Sequence, residues 1–172
     1  MHRLILLVLF LLAACNSVPS GAKRKSQPAM VVQRIGAAKV TVTYNRPSAR
    51  GRALFGGIVP WDSVWDPGAD EATKITTTRD LLVEGHVLRR GEYSLWAVPG
   101  PAEWTVIFSR AADVYHTPYP GAYRDALRLR VRPQRGPHVE TLAFWFPVAT
   151  GDSAVLALHW GETIVPLRLH RR

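Results

Sequence analysis

The sequence predicts an all-β fold, an antiparallel β-sandwich or partly closed barrel carrying one long, ordered, aromatic-rich loop. Three observations predict it. Apolar residues recur with a period of two along most of the chain from Ala29 onward. No stretch of about ten residues keeps a convincing helical period. Glycine and proline punctuate the alternating runs at short intervals, as in chains of short strands joined by turns. The chain has 172 residues, 47% of them hydrophobic and 20% charged. That length and balance support one packed domain with a tail and argue against a disordered chain.

In chain order, the first element is an address. His2 and Arg3 form a short basic head, and Leu4 to Ala14 follow without a charge. Such a run rises about 16 Å as a helix, roughly half the hydrocarbon core of a bilayer, which predicts a secretory signal rather than a membrane span. Leu12-Ala13-Ala14-Cys15 closes it and resembles a bacterial lipoprotein box. The resemblance implies cleavage before Cys15, lipidation of its thiol and anchoring by several acyl chains. Residues 1–14 are thus read as a signal peptide, 15–28 as a lipidated, basic, flexible tether and 29–172 as the sandwich. Asn16 after the lipidated residue resembles the pattern sent to the outer membrane in two-membrane bacteria, so the expected location is its periplasmic face. Spending the only cysteine on the anchor leaves none for a disulfide, a Cys-rich zinc site or a Cys nucleophile.

The net charge of +9 falls to +8 once Met1 to Ala14, with one Arg and no acid, are removed. Lys23, Arg24 and Lys25 carry three of these charges and Arg171 and Arg172 two more, leaving about +3 on the body. A pI of 10.4 invites a nucleic-acid reading. Concentration of charge in the tails of an exported chain argues against nucleic acid. Lys23 to Lys25 read as a solvated tether or as a basic run resting on anionic headgroups.

The body's strands follow. Val40, Val42 and Tyr44 alternate with Thr41 and Thr43, and Leu127, Leu129 and Val131 alternate with Arg128, Arg130 and Arg132. Tyr93 to Val98, Trp104 to Ser109, Val139 to Phe146, Ser153 to Trp160 and Thr163 to Leu169 are rich in the β-branched and aromatic residues that suit a pleated surface. Gly136-Pro137, Gly151-Asp152 and Gly161-Glu162 read as turns between them. Ala111 to Tyr115 and Ala122 to Ala126 each read as a possible helical turn. The arginines at 128, 130 and 132 read as a solvated strand face, and His159 as a histidine satisfied in packing. Asn45 to Ala72 breaks the strand rhythm, and its tryptophans predict that this long loop packs.

Ordered motifs in and after that loop carry a resemblance. Tyr44-Asn45-Arg46-Pro47-Ser48 leads to Arg50-Gly51-Arg52 and Phe55-Gly56-Gly57. Trp65 opens Asp66-Pro67-Gly68-Ala69-Asp70-Glu71-Ala72-Thr73, and Gly91-Glu92-Tyr93-Ser94-Leu95 and Glu103-Trp104-Thr105-Val106 follow. From about Val31 to Ser109 the series resembles the domain-of-unknown-function 2911 family of bacterial envelope proteins. The resemblance implies an exported or lipid-anchored β-rich protein and no established activity. Asp66 and Asp70 stand where members often carry Arg and Asn, so any function needing that guanidinium or amide is in question here.

Candidate site residues are Arg46, Arg50, Arg52, Trp65, Asp70, Glu71, Thr73 and Tyr93. Two readings stand. In one, arginine forks hold loop carbonyls and the Glu71 carboxylate as an internal lattice. In the other, they form a polar pocket ringed by Trp61, Trp65 and Tyr93. The histidines at 2, 86, 116, 138, 159 and 170 show no two-His ligand spacing, so no metal and no cofactor is expected. No Gly-x-Ser-x-Gly elbow or phosphate-cradling glycine loop occurs. The function expected is a non-catalytic envelope module binding a small molecule, glycan or envelope protein. The alternative is a hydrolase using Glu71 with a second acid, Asp70 or Glu92, or with a histidine.

Overall fold

A computed structural model describes residues 26–172. The expected signal peptide, Cys15 and Lys23-Arg24-Lys25 lie outside the described residues. Ten strands build two antiparallel sheets: β1 (Gln27–Ile35), β2 (Ala38–Arg46), β3 (Lys74–Thr77), β4 (Leu81–Val83), β5 (His86–Leu88), β6 (Gly91–Val98), β7 (Trp104–Ser109), β8 (Asp125–Val131), β9 (Gln134–Ala149) and β10 (Ser153–Arg171). One sheet has the order β1-β2-β3-β6-β7-β8 and the other β5-β4-β10-β9. The two sheets remain separate, so the architecture is a sandwich and not a closed barrel.

Alternation decides which side chains meet between the sheets. Val40, Val42 and Tyr44 of β2 are buried, while Lys39 is exposed and Thr41 and Thr43 half-buried. Leu156, Leu158 and Trp160 of β10 and Leu142 and Phe144 of β9 face them across the core. Tyr44 clasps the two layers. Its hydroxyl accepts from Phe144 N at 3.1 Å and donates to Phe144 O at 3.4 Å, and the two rings meet edge to face at 4.9 Å. His159 points to the other face of β10, where it is buried against Trp145 and donates from Nε2 to Pro137 O at 2.9 Å.

Several expected boundaries are corrected. β1 begins at Gln27, inside the segment read as tether. Ser153 to Trp160 and Thr163 to Leu169 form one strand, because Gly161, at φ 57, makes a bulge rather than a turn. Gly136-Pro137 lies within β9. Ala111 to Tyr115 forms no helical turn, and a single 3-10 turn covers Ala122–Arg124.

Residues 47–73 join β2 to β3 and are ordered, as expected of a loop that packs. Ala49 N donates to Glu140 O at 2.8 Å and Leu142 N to Pro47 O at 2.9 Å, so the loop caps part of the free edge of β9. Phe55 and Trp65 then enter the core. Trp65 stacks on Trp160 at 6.0 Å, and Phe55 meets Trp104 edge to face at 4.7 Å. Trp65 and Ala97 exchange two backbone hydrogen bonds, each of 2.8 Å, which tie this plug to β6.

Candidate functional site

The site is built on the end of β1 and β2 nearest Ser26. Register sets Pro28 opposite Asn45, Ala29 opposite Tyr44 and Met30 opposite Thr43. The tight segment from Asp66 to Thr73 lies alongside. Thr73 N donates to Asp66 Oδ1 at 2.8 Å, Thr73 Oγ1 donates to Pro67 O at 2.9 Å, and Gly68 N donates to Asp66 O at 2.8 Å. Gly68 is required for close approach and not for a positive φ. A Cβ there would lie 2.6 Å from Thr73 Oγ1 and 2.8 Å from Asp66 Oδ2.

Asp66 is folded inward and 2% exposed. Burial raises its carboxyl well above the ordinary value of 3.8, opposed in part by the Thr73 N–H that favours the charged form. Its Oδ2 is buried without a hydrogen-bond partner among the described residues.

This knot presents Asp70 and Glu71. Asp70 is held in the left-handed region, at φ 59. Its carbonyl accepts from His116 N at 2.9 Å and pairs with His116 Nδ1 at 2.7 Å, while its Oδ2 accepts from Ser26 N at 3.3 Å. Glu71 forms an antiparallel bridge with Tyr115, and its Oε2 accepts from Asn45 Nδ2 at 2.9 Å. Asn45 is 4% exposed, and its Oδ1 has no hydrogen-bond partner among the described residues. Together with Pro28, Ala29, Met30, Thr43, Tyr44 and Ala72, Asn45 and Glu71 line an open groove of about 410 Å³.

The predicted site residues separate into distinct environments. Thr73, Asp70 and Glu71 share the knot and its rim. The arginines grip main chain: Arg46 Nε donates to Leu142 O at 3.3 Å, and Arg52 donates to Ala49 O and Ser48 O, each at 2.8 Å. Arg50 contributes its backbone N–H to Glu140 Oε1 at 2.6 Å. Trp65 belongs to the aromatic plug between the sheets. Tyr93 is a core residue whose hydroxyl donates to Arg89 O at 2.8 Å. Trp61 lines a different groove, with Pro101 and Arg135. Glu92 pairs with Lys74 at 3.6 Å. Arg128 pairs with Asp125 at 2.6 Å and Arg130 with Glu103 at 3.4 Å, on an exposed strand face. Among the described residues, no group of three His, Cys, Asp or Glu side chains is placed to hold a metal ion.

Sequence reasoning missed Asn45 and the Pro28 to Met30 wall. Asn45 stands inside the quoted Tyr44-Asn45-Arg46 motif, and its position beside Tyr44 was the available signal. A polar residue facing away from a core aromatic at a strand end needs a partner.

The match to a family model is extensive, running over residues 26–169. The chain belongs to DUF2911, a family of proteins of unknown function. No match was found among curated proteins or among solved structures. The DUF2911 match spans both sheets, the connecting loop and the Asp66 to Thr73 knot, so the groove is built wholly from family-matched residues. Asp66 and Asp70 occupy the inside and the rim of this knot.

Proposed function

We propose that this protein is a lipid-anchored module of the bacterial cell envelope, held through Cys15, that binds a ligand without transforming it. The observation that carries the reading is the groove at the Asn45–Glu71 pair. An amide and a carboxylate joined side by side give one wall of the open cleft a polar strip, which favours a ligand bearing hydroxyl or amine groups. Pro28, Ala29 and Met30 supply an apolar wall for its carbon skeleton. A sugar ring or an extended segment of an envelope protein fits that chemistry. The aromatic side chains of the connecting loop are committed elsewhere, Phe55 and Trp65 to the core and Trp61 to another groove, so they are not the binding platform.

Two experiments test this reading. A thermal-shift screen of mono- and oligosaccharides and short peptides is expected to yield ligands whose stabilisation disappears in Asn45→Ala. Hits that survive that change would place binding elsewhere. Fractionation tests the anchor: Cys15→Ser is expected to leave the membrane fraction, and a variant that stays membrane-bound would refute lipidation at this residue.

A further inference from the structure

The sandwich has a second polar end, opposite the groove. β1 runs from the groove at Pro28 to the turn at Gly36, and nine extended residues span about 30 Å. That far pole gathers Lys39, Arg79, Arg89, Arg90, Arg171 and Arg172. Strand pairing brings them together from distant parts of the chain. Lys39 and Thr78 exchange hydrogen bonds of 3.1 and 2.9 Å, which sets Arg79 beside the β1–β2 turn. Arg171 is the register partner of Leu81. Arg171 and Arg172, read as a tail in the sequence, are therefore parts of the folded pole.

Asp80 organises the cluster. Its Oδ1 accepts from Arg90 N at 2.9 Å, and its Oδ2 pairs with Arg89 at 2.9 Å and Arg172 at 3.1 Å. Asp152 pairs with Arg171 at 3.0 Å. The guanidinium groups of Arg79 and Arg90 make no hydrogen bond or ion pair among the described residues. Two clefts meet at Arg79 and Asp80. One of about 530 Å³ includes Arg89 and Arg90, and one of about 430 Å³ includes Arg171 and Arg172. Planar guanidinium forks around connected clefts match the paired oxygens of phosphate groups.

We propose that this pole binds a phosphate-bearing polymer of the envelope, seated across Arg79 and Arg90. The choice of a polymer over lipid headgroups rests on the proposed anchor. Cys15 precedes Ser26, at the groove end, so an anchored chain enters from the end away from the arginines. Two connected clefts also suit a ligand with successive phosphates better than a single headgroup.

The test uses the full chain in neutral detergent, with inorganic polyphosphate and inorganic phosphate as probes and with vesicles of phosphatidylcholine and phosphatidylglycerol. Polyphosphate is expected to bind more tightly than phosphate and to weaken with salt. The double change Arg79→Ala/Arg90→Ala is expected to reduce polyphosphate affinity about tenfold or more, because it removes two charge-assisted contacts. Its circular dichroism and melting curve report that the sandwich stays folded. Lys23→Ala/Arg24→Ala/Lys25→Ala is expected to retain most of the binding. Equal polyphosphate binding by the Arg79/Arg90 variant, or loss confined to the Lys23–Lys25 variant, would overturn the proposal. Vesicle binding that depends on Arg79 and Arg90 as strongly as polyphosphate binding does would also overturn it, in favour of a lipid surface. The Cys15→Ser fractionation reports on the anchor separately, so failure of one reading is distinguishable from failure of the other.

Discussion

Asp66→Asn is the sharpest test of the knot beneath the groove. Asp66 keeps one oxygen on Thr73 N at 2.8 Å and leaves the other buried and unpartnered. Burial raises its folded value well above 3.8. Above 3.8 the unfolded chain releases the proton that the folded chain retains. Stability from this group therefore falls as pH rises from the unfolded toward the folded value, by about 1.4 kcal/mol per pH unit within that window. Below 3.8 both states are protonated and the dependence vanishes. Asparagine preserves the acceptor for Thr73 N and does not titrate.

The variant is expected to be more stable than the parent at pH 7 by about 1–3 kcal/mol, the low end allowing for an amide N–H₂ that also lacks a buried partner. For a chain of this size that is a melting increase of about 2–4 °C per kcal/mol. Urea unfolding followed by tryptophan fluorescence between pH 4 and pH 8 measures it, with Trp65 next in sequence as a local reporter. Asp80 and Glu140 are common to parent and variant and cancel in the comparison. Arg90 N–H holds the first carboxyl low and Arg50 N–H the second. Their contributions are present above the unfolded values of 3.8 and 4.5 and are lost as pH falls through the lower folded values. Parallel pH profiles for Asp66→Asn and parent, or a variant less stable at pH 7, would refute the reasoning.

Three further predictions concern the same framework. Gly68→Ala is expected to cost about 1–3 kcal/mol in urea unfolding, since its methyl group must displace Thr73 Oγ1 or Asp66 Oδ2. Tyr44→Phe is expected to cost about 1–3 kcal/mol, because it strands the buried Phe144 N–H; an unchanged urea midpoint would mean that the rings alone join the sheets. Glu71→Gln keeps an acceptor for Asn45 Nδ2 but loses charge assistance, and its melting temperature is expected to fall by several degrees. A raised melting temperature would instead mark a carboxylate held under strain for ligand.

The parts of the fold legible in the sequence are those where one strand face is wet. β2 and β8 alternate because threonines or arginines point outward while valine, leucine and tyrosine point in. β4 and β5 have three residues each, too few for a period to declare itself. β1 was obscured at its start because Gln27 and Pro28 share the composition of the preceding tether. Gly161 was a sound signal with two meanings. A positive-φ glycine ends a hairpin or bulges a continuous strand, and only the partner strand decides. Here β9 runs on beside it from Ala149 back to Gln134, so the chain bulges and continues.

The same distinction separates the legible from the illegible parts of the site. Thr73 stands out in the sequence because the Asp66 to Thr73 segment is local and its hydrogen bonds to Asp66 and Pro67 close within a few residues, whereas Glu71 meets Asn45 and Tyr115 from distant parts of the chain. Arg46 lies near Glu71 in the chain, yet it donates to Leu142, 96 residues away. Trp65 reads as a pocket wall when the loop is taken alone and becomes core once Trp104 and Trp160 arrive from two sheets. Charge follows the same rule. A sum over the body comes to about +3 and argues for no particular partner. Pairing Arg171 with Leu81, Lys39 with Thr78 and Asp80 with the Arg89-Arg90 turn brings Arg171 and Arg172, left out of that sum, together with body charges in one concentrated pole. Field strength at a surface depends on how closely charges are gathered as well as on their total. Strand register, which a charge count cannot contain, therefore creates the feature of this protein best suited to an anionic partner.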